Sequence, residues 1–373
     1  MKALLLGYLV ALSFAHMAVL GPVRYAIIGP ILLLVIAASR RVYLPRSRSY
    51  RLGAALFVLG GLVPTLLYGG AQSLTYIPFI ALNVCLLPYF GKLEFSTTHI
   101  GVLAGYFFLT LCLIPGTPGA QFVYGNENNY ATVSLCGMYF ALLATRRSWV
   151  LQAAAAVPFV FFAFVSQSRT QLAASLLFVA VYFAQRLLRV QLRYAAVALL
   201  LLMGFAYVTL MLGDPYGIIE IVQENTMGHK SYRGLSYRDV LLFNSLELLG
   251  DYPLGVGWGR SGIALEAYTG ETLSPHNMFM KVAVEAGWVA LAGYLLMLFG
   301  FLLRSPTKLS VAFLLAVSLR GLFESATPFT LSLISAMHVL PFFLNEHNVA
   351  PGRFSLLDRF VLSHPGAATH RGA

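Results

Sequence analysis

The stretch that decides the fold is Ser274-Pro275-His276-Asn277 followed by the apolar run MFMKVAVEAGWVALAGYLLMLFGF over residues 278–301. About 20 residues are enough to cross a bilayer as a helix, so this run predicts a membrane span. Ser is a favoured N-cap and Pro is favoured at the first helical position, so the helix is predicted to begin at Ser274 and Pro275. His276 would then lie in the first turn, where the helix dipole opposes its protonation and free backbone N–H groups can hold an anion.

The composition is typical of a polytopic membrane protein. Of the 373 residues, 58% are hydrophobic and 10% are charged, and the mean hydropathy is +0.76, whereas soluble domains carry roughly 25% charged residues. The formal net charge of +11 is therefore interpreted through the positive-inside rule and not as a nucleic-acid site. The cysteines all lie in apolar runs, and their odd number argues against a disulfide or metal framework: Cys85, Cys112 and Cys136.

Apolar runs recur along the chain and predict an all-α fold of about twelve transmembrane helices, with both termini on the cytoplasmic side. A retained first helix is preferred to a cleaved signal peptide. The chain divides into N-terminal transmembrane helices (1–212), an outer loop (213–275), C-terminal transmembrane helices (276–345) and a cytoplasmic tail (346–373). The predicted spans are 3–20, 24–39, 52–70, 74–91, 98–114, 131–145, 148–165, 170–185, 194–212, 277–303, 309–324 and 326–344.

Most of the 25 Lys and Arg residues fall on the predicted cytoplasmic side. The remaining basic residues lie on the opposite side or inside a span. Topology gives no reason for a charge at those positions, so functional residues are sought among them. The outer loop carries more acidic than basic residues, so each of its arginines needs a specific partner or role. The exceptional cations are Arg24, Arg169, Lys230, Arg233, Arg238, Arg260, Lys281 and Arg320.

The outer loop contains a predicted helix and a glycine-rich turn. Ser236 followed by Asp239 resembles a capping box, and a helix over 237–249 is expected at the outer membrane–water boundary. The sequence Pro253-Leu254-Gly255-Val256-Gly257-Trp258-Gly259 follows it. Because no predicted strand precedes these glycines, a dinucleotide site is rejected, and close backbone approach to a ligand or a neighbouring helix is expected. The helical stripe is formed by Val240, Phe243, Leu246 and Leu249.

The order of these features resembles the O-antigen ligase and polymerase superfamily. The matching elements are an arginine that starts a helix, then Pro-Leu-Gly-Val-Gly, then His-Asn followed by Glu-x-Gly. In this sequence they are Arg238, Pro253 to Gly257, His276-Asn277, and Glu285 with Gly287. Two further stretches resemble the family's upstream arginine motif and its earlier outer loop: Ser168-Arg169-Thr170 and Gly125-Asn126-Glu127-Asn128.

The resemblance implies a membrane glycosyltransferase of the C-type fold class in the bacterial inner membrane, with its active site facing the periplasm. Such enzymes transfer a glycan from undecaprenyl pyrophosphate to an acceptor hydroxyl, without a nucleotide sugar or other cofactor and, for the ligases, without a metal. Ligases use the lipid A core as acceptor, and polymerases use the end of another lipid-linked repeat. An O-antigen ligase is slightly preferred to an O-antigen or exopolysaccharide polymerase. A secondary transporter ranks third, because no internal repeat is evident.

Three residues are predicted to be catalytic, Arg169 and Arg238 as clamps for the pyrophosphate and His276 as the general base. The planar fork of arginine grips two phosphate oxygens and stays charged, and a neutral imidazole can accept the acceptor's proton. Nearby arginines are expected to lower the pKa of His276. The structural alternatives are a snorkelling Arg169, an Arg238 paired with Asp239 or Glu247, and a His276 hydrogen-bonded within the loop.

Further predictions concern substrate contacts and ion pairs. No metal ligand is expected. Two pairs lie at i,i+4 spacing, Lys281 with Glu285 and Arg320 with Glu324, and both are interpreted as structural. The alternative for Arg320 and Glu324 is that they line the cavity. The predicted substrate-binding residues are Asn277, Arg260, Arg233 and Trp258.

Overall fold

The computed structural model describes residues 1–39, 43–45, 47–112, 123–125, 127–146, 148–188, 193–212, 238–270, 272–304 and 307–350. Within these ranges the secondary structure is helical apart from one short parallel strand pair, β1 (Phe95–Ser96) with β2 (Val349–Ala350). The all-α prediction is therefore confirmed. The α-helices are α1 (Lys2–Ser13), α2 (Val23–Ser39), α3 (Arg48–Tyr68), α4 (Ala71–Leu74), α5 (Tyr76–Leu86), α6 (Thr97–Cys112), α7 (Glu127–Ala144), α8 (Trp149–Val165), α9 (Arg169–Leu187), α10 (Arg193–Leu212), α11 (Arg238–Asp251), α12 (Ser261–Thr269), α13 (Met278–Arg304), α14 (Lys308–Phe323) and α15 (Leu333–Met337).

Among the described helices, α3, α9, α10 and α13 are long and apolar enough to cross a membrane. This length and composition indicate a polytopic membrane protein. The total of twelve spans stays a prediction. Shorter apolar helices cover Lys2–His16, Val23–Ser39, Tyr76–Lys92, Thr97–Cys112, Trp149–Val165 and Leu333–Phe342.

Helices α3 and α13 approach each other closely through small residues. A Cβ atom added at Gly53 would lie 2.6 Å from the Gly293 carbonyl oxygen, and one at Gly60 would lie 2.8 Å from the Ala290 nitrogen. Lipid tails are as apolar as leucine, so membrane helices gain their association from such backbone approach and from packing. The contact fixes α13, and with it the loop that precedes α13.

Helix α13 is broken at Gly287, whose backbone is left-handed at φ 77° and ψ 173°. The glycine-rich loop packs against the break, because the Val256 N–H donates to the Val284 carbonyl at 2.9 Å and the Gly257 N–H donates to the Glu285 carbonyl at 2.8 Å. These bonds satisfy carbonyl groups that the interrupted helix leaves open. The predicted close approach of the glycine-rich loop to a neighbouring helix is confirmed.

The predicted span 326–344 is wrong as a single helix. It contains α15 and a separate 3-10 turn at Leu340–Phe342. Pro328 and Pro341 lack the N–H group that a continuous helix needs, and the Ser332 hydroxyl caps α15 by accepting the Ser335 N–H. Irregular backbone at membrane depth is tolerated where protein buries it or where it lines a cavity, and α15 is buried.

Helix α11 confirms the helix predicted over 237–249. Its leucines at 241, 242, 248 and 249 face the protein, whereas the predicted stripe turns largely outward, with Phe243 62% exposed. Apolar side chains on both faces suit a helix that packs on protein and borders lipid. Ser236, the predicted cap, lies outside the described residues.

Candidate functional site

The loop before α13 differs from the sequence prediction. The helix begins at Met278, and His276 has a left-handed backbone with φ 48°, which cannot belong to a right-handed helix. Asn277 caps the helix instead of Ser274, because its side-chain oxygen accepts the Met280 N–H at 3.0 Å. The Asn277 amide also donates to the Leu322 carbonyl at 3.0 Å, while Ser274 donates to the Ser325 hydroxyl at 2.8 Å.

His276 is half-buried between charged groups that act on it in opposite directions. Burial lowers the pKa of its imidazole below the ordinary value of 6.5, the Glu324 carboxylate opposes this, and Arg238 and Lys281 lower the pKa further. The direction agrees with the prediction, but burial outweighs the neighbouring cations as its cause. The imidazole is therefore neutral at pH 7 and able to accept a proton.

Arg238 opens α11 and pairs with Glu324, which follows the last residue of α14. Its Nη2 lies 3.6 Å from Glu324 Oε1, and its Nε donates to the Phe323 carbonyl at 3.3 Å. The side chains are 22% and 11% exposed, so the pair is shielded more than a surface salt bridge but remains accessible. Neither Asp239 nor Glu247, the partners considered from sequence, makes this contact.

Glu324 joins Arg238 to two further elements. The Asn128 amide at the start of α7 donates to Glu324 Oε1 at 2.9 Å, and the Ser168 hydroxyl before α9 donates to Asn128 Oδ1 at 2.5 Å. We call Arg238, Glu324, Asn128 and Ser168 the Glu324 network. It extends from the helix that begins at Arg238 to the residue that precedes Arg169.

Arg169 is the first residue of α9 and its side chain is exposed. It lines a pocket of about 400 Å³ together with Ser168, Gln167 and Leu172. Among the predicted catalytic residues, Arg238 and His276 share the electrostatic environment of Glu324. Arg169 is connected to them through its neighbour Ser168 and the Glu324 network.

An apolar groove runs beside the Arg169 pocket, between α8 and α9. Its volume is about 690 Å³, and it shares Phe164 and Leu172 with the pocket. The other lining residues, which include Val160, Phe161 and Leu176, carry no charge. A cationic pocket therefore opens directly onto an apolar surface long enough to hold hydrocarbon.

The predicted substrate-binding residues have different surroundings. Trp258 is 1% exposed, its ring lies 5.2 Å from the Phe57 ring, and its backbone N–H donates to the Thr65 hydroxyl at 3.1 Å. This conformation leaves no ring face for a sugar, so the structure does not support stacking by Trp258. Both ends of the Asn277 amide are occupied by the cap contacts. Arg260 lies half-buried at the start of α12, and Arg233 lies outside the described residues.

Glu285 is a buried structural carboxylate. It accepts the Ser261 hydroxyl at 2.7 Å and the Thr327 hydroxyl at 3.3 Å, and it lies 3.9 Å from Lys281 Nζ. The predicted pair with Lys281 is confirmed. Because Ser261 begins α12 and Thr327 follows α14, Glu285 holds three segments together at the break in α13.

The site offers arginines, an imidazole and amides, but no cluster suited to a metal. In the described part of the chain, no group of three or more His, Cys, Asp or Glu side chains could hold a metal ion. The arrangement can bind an anion through its guanidinium groups and accept a proton through His276.

Comparison with known proteins assigns the central part of the chain. Residues 154–295 match the family model described as O-antigen ligase. This segment is similar to the O-antigen ligase family. The match confirms the resemblance that the motifs indicated. No match was found among curated proteins or solved structures.

The matched segment contains Arg169, Arg238 and His276, whereas Asn128 and Glu324 lie outside it. Glu324 was considered only as a partner for Arg320, although a carboxylate at the end of a membrane helix is itself a functional signal. Asn128 belongs to the stretch that resembled the family's outer loop. Its contact with Glu324 could not be read from either segment alone.

Proposed function

We propose that this protein is an O-antigen ligase-like glycosyltransferase that transfers a glycan from undecaprenyl pyrophosphate to an acceptor hydroxyl, the lipid A core, at the periplasmic face of the bacterial inner membrane. The observation that carries the proposal is the Glu324 network beside His276, ending at an Arg169 pocket that opens onto an apolar groove. Cations next to a hydrocarbon surface suit a substrate that has a diphosphate headgroup and a long lipid tail.

In the proposed reaction, the acceptor oxygen forms a bond to the anomeric carbon while the bond from that carbon to the diphosphate oxygen breaks. The hydroxyl proton passes to the neutral imidazole of His276, and the electron pair of the broken bond leaves with the diphosphate. Arg169 and Arg238 stabilise the negative charge that grows on this leaving group, which is usually the largest catalytic effect.

Glu324 is a positioning residue in this proposal. It holds Arg238 through an ion pair, is held by Asn128, and favours the protonated form of His276 after the proton has been accepted. Asn277 fixes the backbone of the neighbouring His276 by capping α13 and by its bond to the Leu322 carbonyl. Fixed groups of this kind reduce the reorganisation that a transition state requires.

The apolar groove is proposed to hold the isoprenoid tail of the donor. Its continuity with the Arg169 pocket supports this, since Phe164 and Leu172 line both. Burying hydrocarbon contributes roughly 0.8 kcal/mol per CH₂ group in transfer from water, but the tail leaves lipid and not water. The groove therefore orients the donor more than it tightens binding.

The test is reconstitution of the purified protein in vesicles with a glycan on undecaprenyl pyrophosphate, offering lipid A core and a second lipid-linked repeat in separate tubes. Glycosylated core is expected. A ladder of longer lipid-linked glycans without core product would instead indicate a polymerase. Coupled flux of a substrate without any new glycosidic bond would contradict both. Parallel tubes with a chelator test whether transfer needs a metal.

A further inference from the structure

A polar cavity of about 590 Å³ lies beside the Glu324 network, beneath the irregular segment that follows α14. Its lining contains two cations, Lys281 and Arg320, and no Asp or Glu among the described residues. Hydroxyl groups of that irregular segment, including Thr327, Thr330 and Ser335, also face it. The cavity is therefore positively charged and rich in hydrogen-bonding groups. Arg169, Arg238 and His276 do not line it.

Arg320 is the unusual member of this lining. It lies in the last turn of α14 and is 5% exposed, and its Nε and Nη1 atoms have no hydrogen-bond partner among the described residues. The partner expected from sequence, Glu324, pairs with Arg238 and accepts from Asn128, and it acts on Arg320 through its charge. A buried guanidinium with unsatisfied donors is costly, and a bound anion would satisfy them.

Lys281 supplies a second positive charge to the cavity. Its side chain is 23% exposed and lies 3.9 Å from Glu285, a distance that leaves donors of the ammonium group available. Glu285 is directed toward Ser261 and Thr327 and does not line the cavity. A charged ligand that satisfies both cations must be an anion with several oxygen acceptors.

The size and the remaining lining indicate what carries this anion. The volume lies within the range of about 300–1,000 Å³ that small-molecule sites occupy, and it exceeds what a single phosphate needs. Tyr25, Tyr76 and Phe79 also line the cavity. Aromatic faces together with hydroxyl donors suit a sugar ring. The ligand class is therefore a sugar that bears an oxyanion.

We propose that this cavity binds an oxyanion-bearing sugar portion of the substrate, with the Arg320 guanidinium gripping two oxygens and Lys281 supplying the second charge. The oxyanion is either a phosphate carried by a sugar of the glycan or the carboxylate of an acidic sugar. The identity of the ligand as a substrate rests on the proposed function, whereas anion binding at Arg320 does not.

The experiment measures binding to the purified full-length protein in detergent by titration calorimetry, with inorganic pyrophosphate and methyl glucuronide as separate probes. Saturable binding of at least one probe is expected, weakened at least tenfold in Arg320→Met and less in Arg320→Lys. The control Arg304→Gln removes one exposed charge and should bind as the unmodified protein does. Binding of pyrophosphate alone identifies the phosphate source, and binding of the glucuronide alone identifies an acidic sugar.

Unchanged affinity in Arg320→Met, or no saturable binding of either probe, would overturn the proposal. Since Met removes an unsatisfied buried charge, the ligand-free variant should unfold at the same or a higher temperature than the unmodified protein. If Arg320→Met does not fold, Lys281→Gln provides the test, because the partly exposed Lys281 can be replaced without leaving a buried cavity. Its affinity should fall, and an unchanged value contradicts the proposal. If the unmodified protein binds an anion at Arg320 but transfers no glycan, the proposed function is refuted and the anion site is not.

Discussion

At the scale of single residues, the position of Glu324 controls two predicted catalytic groups. It pairs with Arg238 and raises the pKa of His276 against the lowering effect of burial, Arg238 and Lys281. The sequence predicted a neutral His276 from a helix dipole and nearby arginines, whereas in the structure burial is the larger cause of its lowered pKa. It could not reveal that Glu324 is the partner of Arg238, since the two residues lie on different helices and a nearer acid, Asp239, follows Arg238 directly.

The first prediction concerns pH. Because the pKa of His276 lies below 6.5, the base is unprotonated at neutral pH, so transfer should be constant near pH 7 and fall only as pH drops below that value. Glu324→Gln removes the group that raises this pKa and should move the acid limb to lower pH. Lys281→Gln removes a group that lowers it and should move the limb to higher pH. Rate profiles of the three proteins check this, and shifts in the same direction would contradict the assignment.

The second prediction concerns the three proposed catalytic residues. Arg169→Ala, Arg238→Ala and His276→Ala should each lower kcat for glycan transfer by about 10²–10³-fold, the usual effect of losing a charge-stabilising or proton-accepting group. The variants should still insert and elute as folded protein on size exclusion. Arg304→Ala, which removes an exposed arginine that contacts Ser47, is the matched control. Full activity in any one of the three would remove that residue from the mechanism.

At the scale of elements, helix positions were largely predictable and helix interruptions were not. Apolar length located α13, because a span needs about 20 apolar residues whatever its neighbours are. The start of α13 was placed too early, since the left-handed backbone of His276 is set by tertiary contacts and Asn277 outcompetes Ser274 as cap. The continuous helix expected over 326–344 failed because two prolines and a serine cap break it. Hydropathy does not register those features.

The third prediction tests the break in α13. A Cβ at Gly287 would lie 2.5 Å from the Leu254 carbonyl oxygen, and its left-handed backbone strains any L side chain. Gly287→Ala should therefore lower the free energy of unfolding by about 2–4 kcal/mol. The control is Gly204→Ala in α10, where no atom lies within 4 Å and alanine favours the helix. Equal thermal unfolding midpoints for the two variants would disprove the packing argument.

The fourth prediction tests the groove between α8 and α9. Val160→Trp should fill the apolar groove and raise KM for an undecaprenyl donor by on the order of tenfold, equivalent to about 1.4 kcal/mol. A donor with a short prenyl chain should be affected less, because it does not reach the filled region. Leu202, in α10, is 61% exposed. The control Leu202→Trp therefore adds the same bulk elsewhere and should leave KM unchanged. Equal effects on the long and short donors would exclude the groove as the tail site.

At the scale of the whole molecule, the site is assembled from segments distant in the chain. Asn128, Ser168, Arg238 and Glu324 meet through side-chain contacts, although only Ser168 and Arg238 lie within the segment that matches the O-antigen ligase family. The predicted orientation follows from the distribution of Lys and Arg over the connecting loops. The sequence motifs identified the predicted catalytic residues. Their partners Asn128 and Glu324 could not be identified without the packing of α7 and α14.

The fifth prediction concerns that orientation. In a variant without Cys85, Cys112 and Cys136, a cysteine at Gly270 should react with a membrane-impermeant maleimide in intact spheroplasts. A cysteine at the exposed Glu94, on the opposite predicted side, should react only after lysis. The reverse pattern would place the proposed active site in the cytoplasm.

The short pairing of β1 with β2 has a consequence for biosynthesis. Phe95 follows the fifth helix of the chain, and its partner Val349 is synthesised about 250 residues later. The clasp therefore cannot close before translation has passed Val349, and until then α6 is held in the bilayer by its immediate neighbours alone. A nascent chain that stops before Val349 will lack this clasp, however well its earlier helices have been inserted.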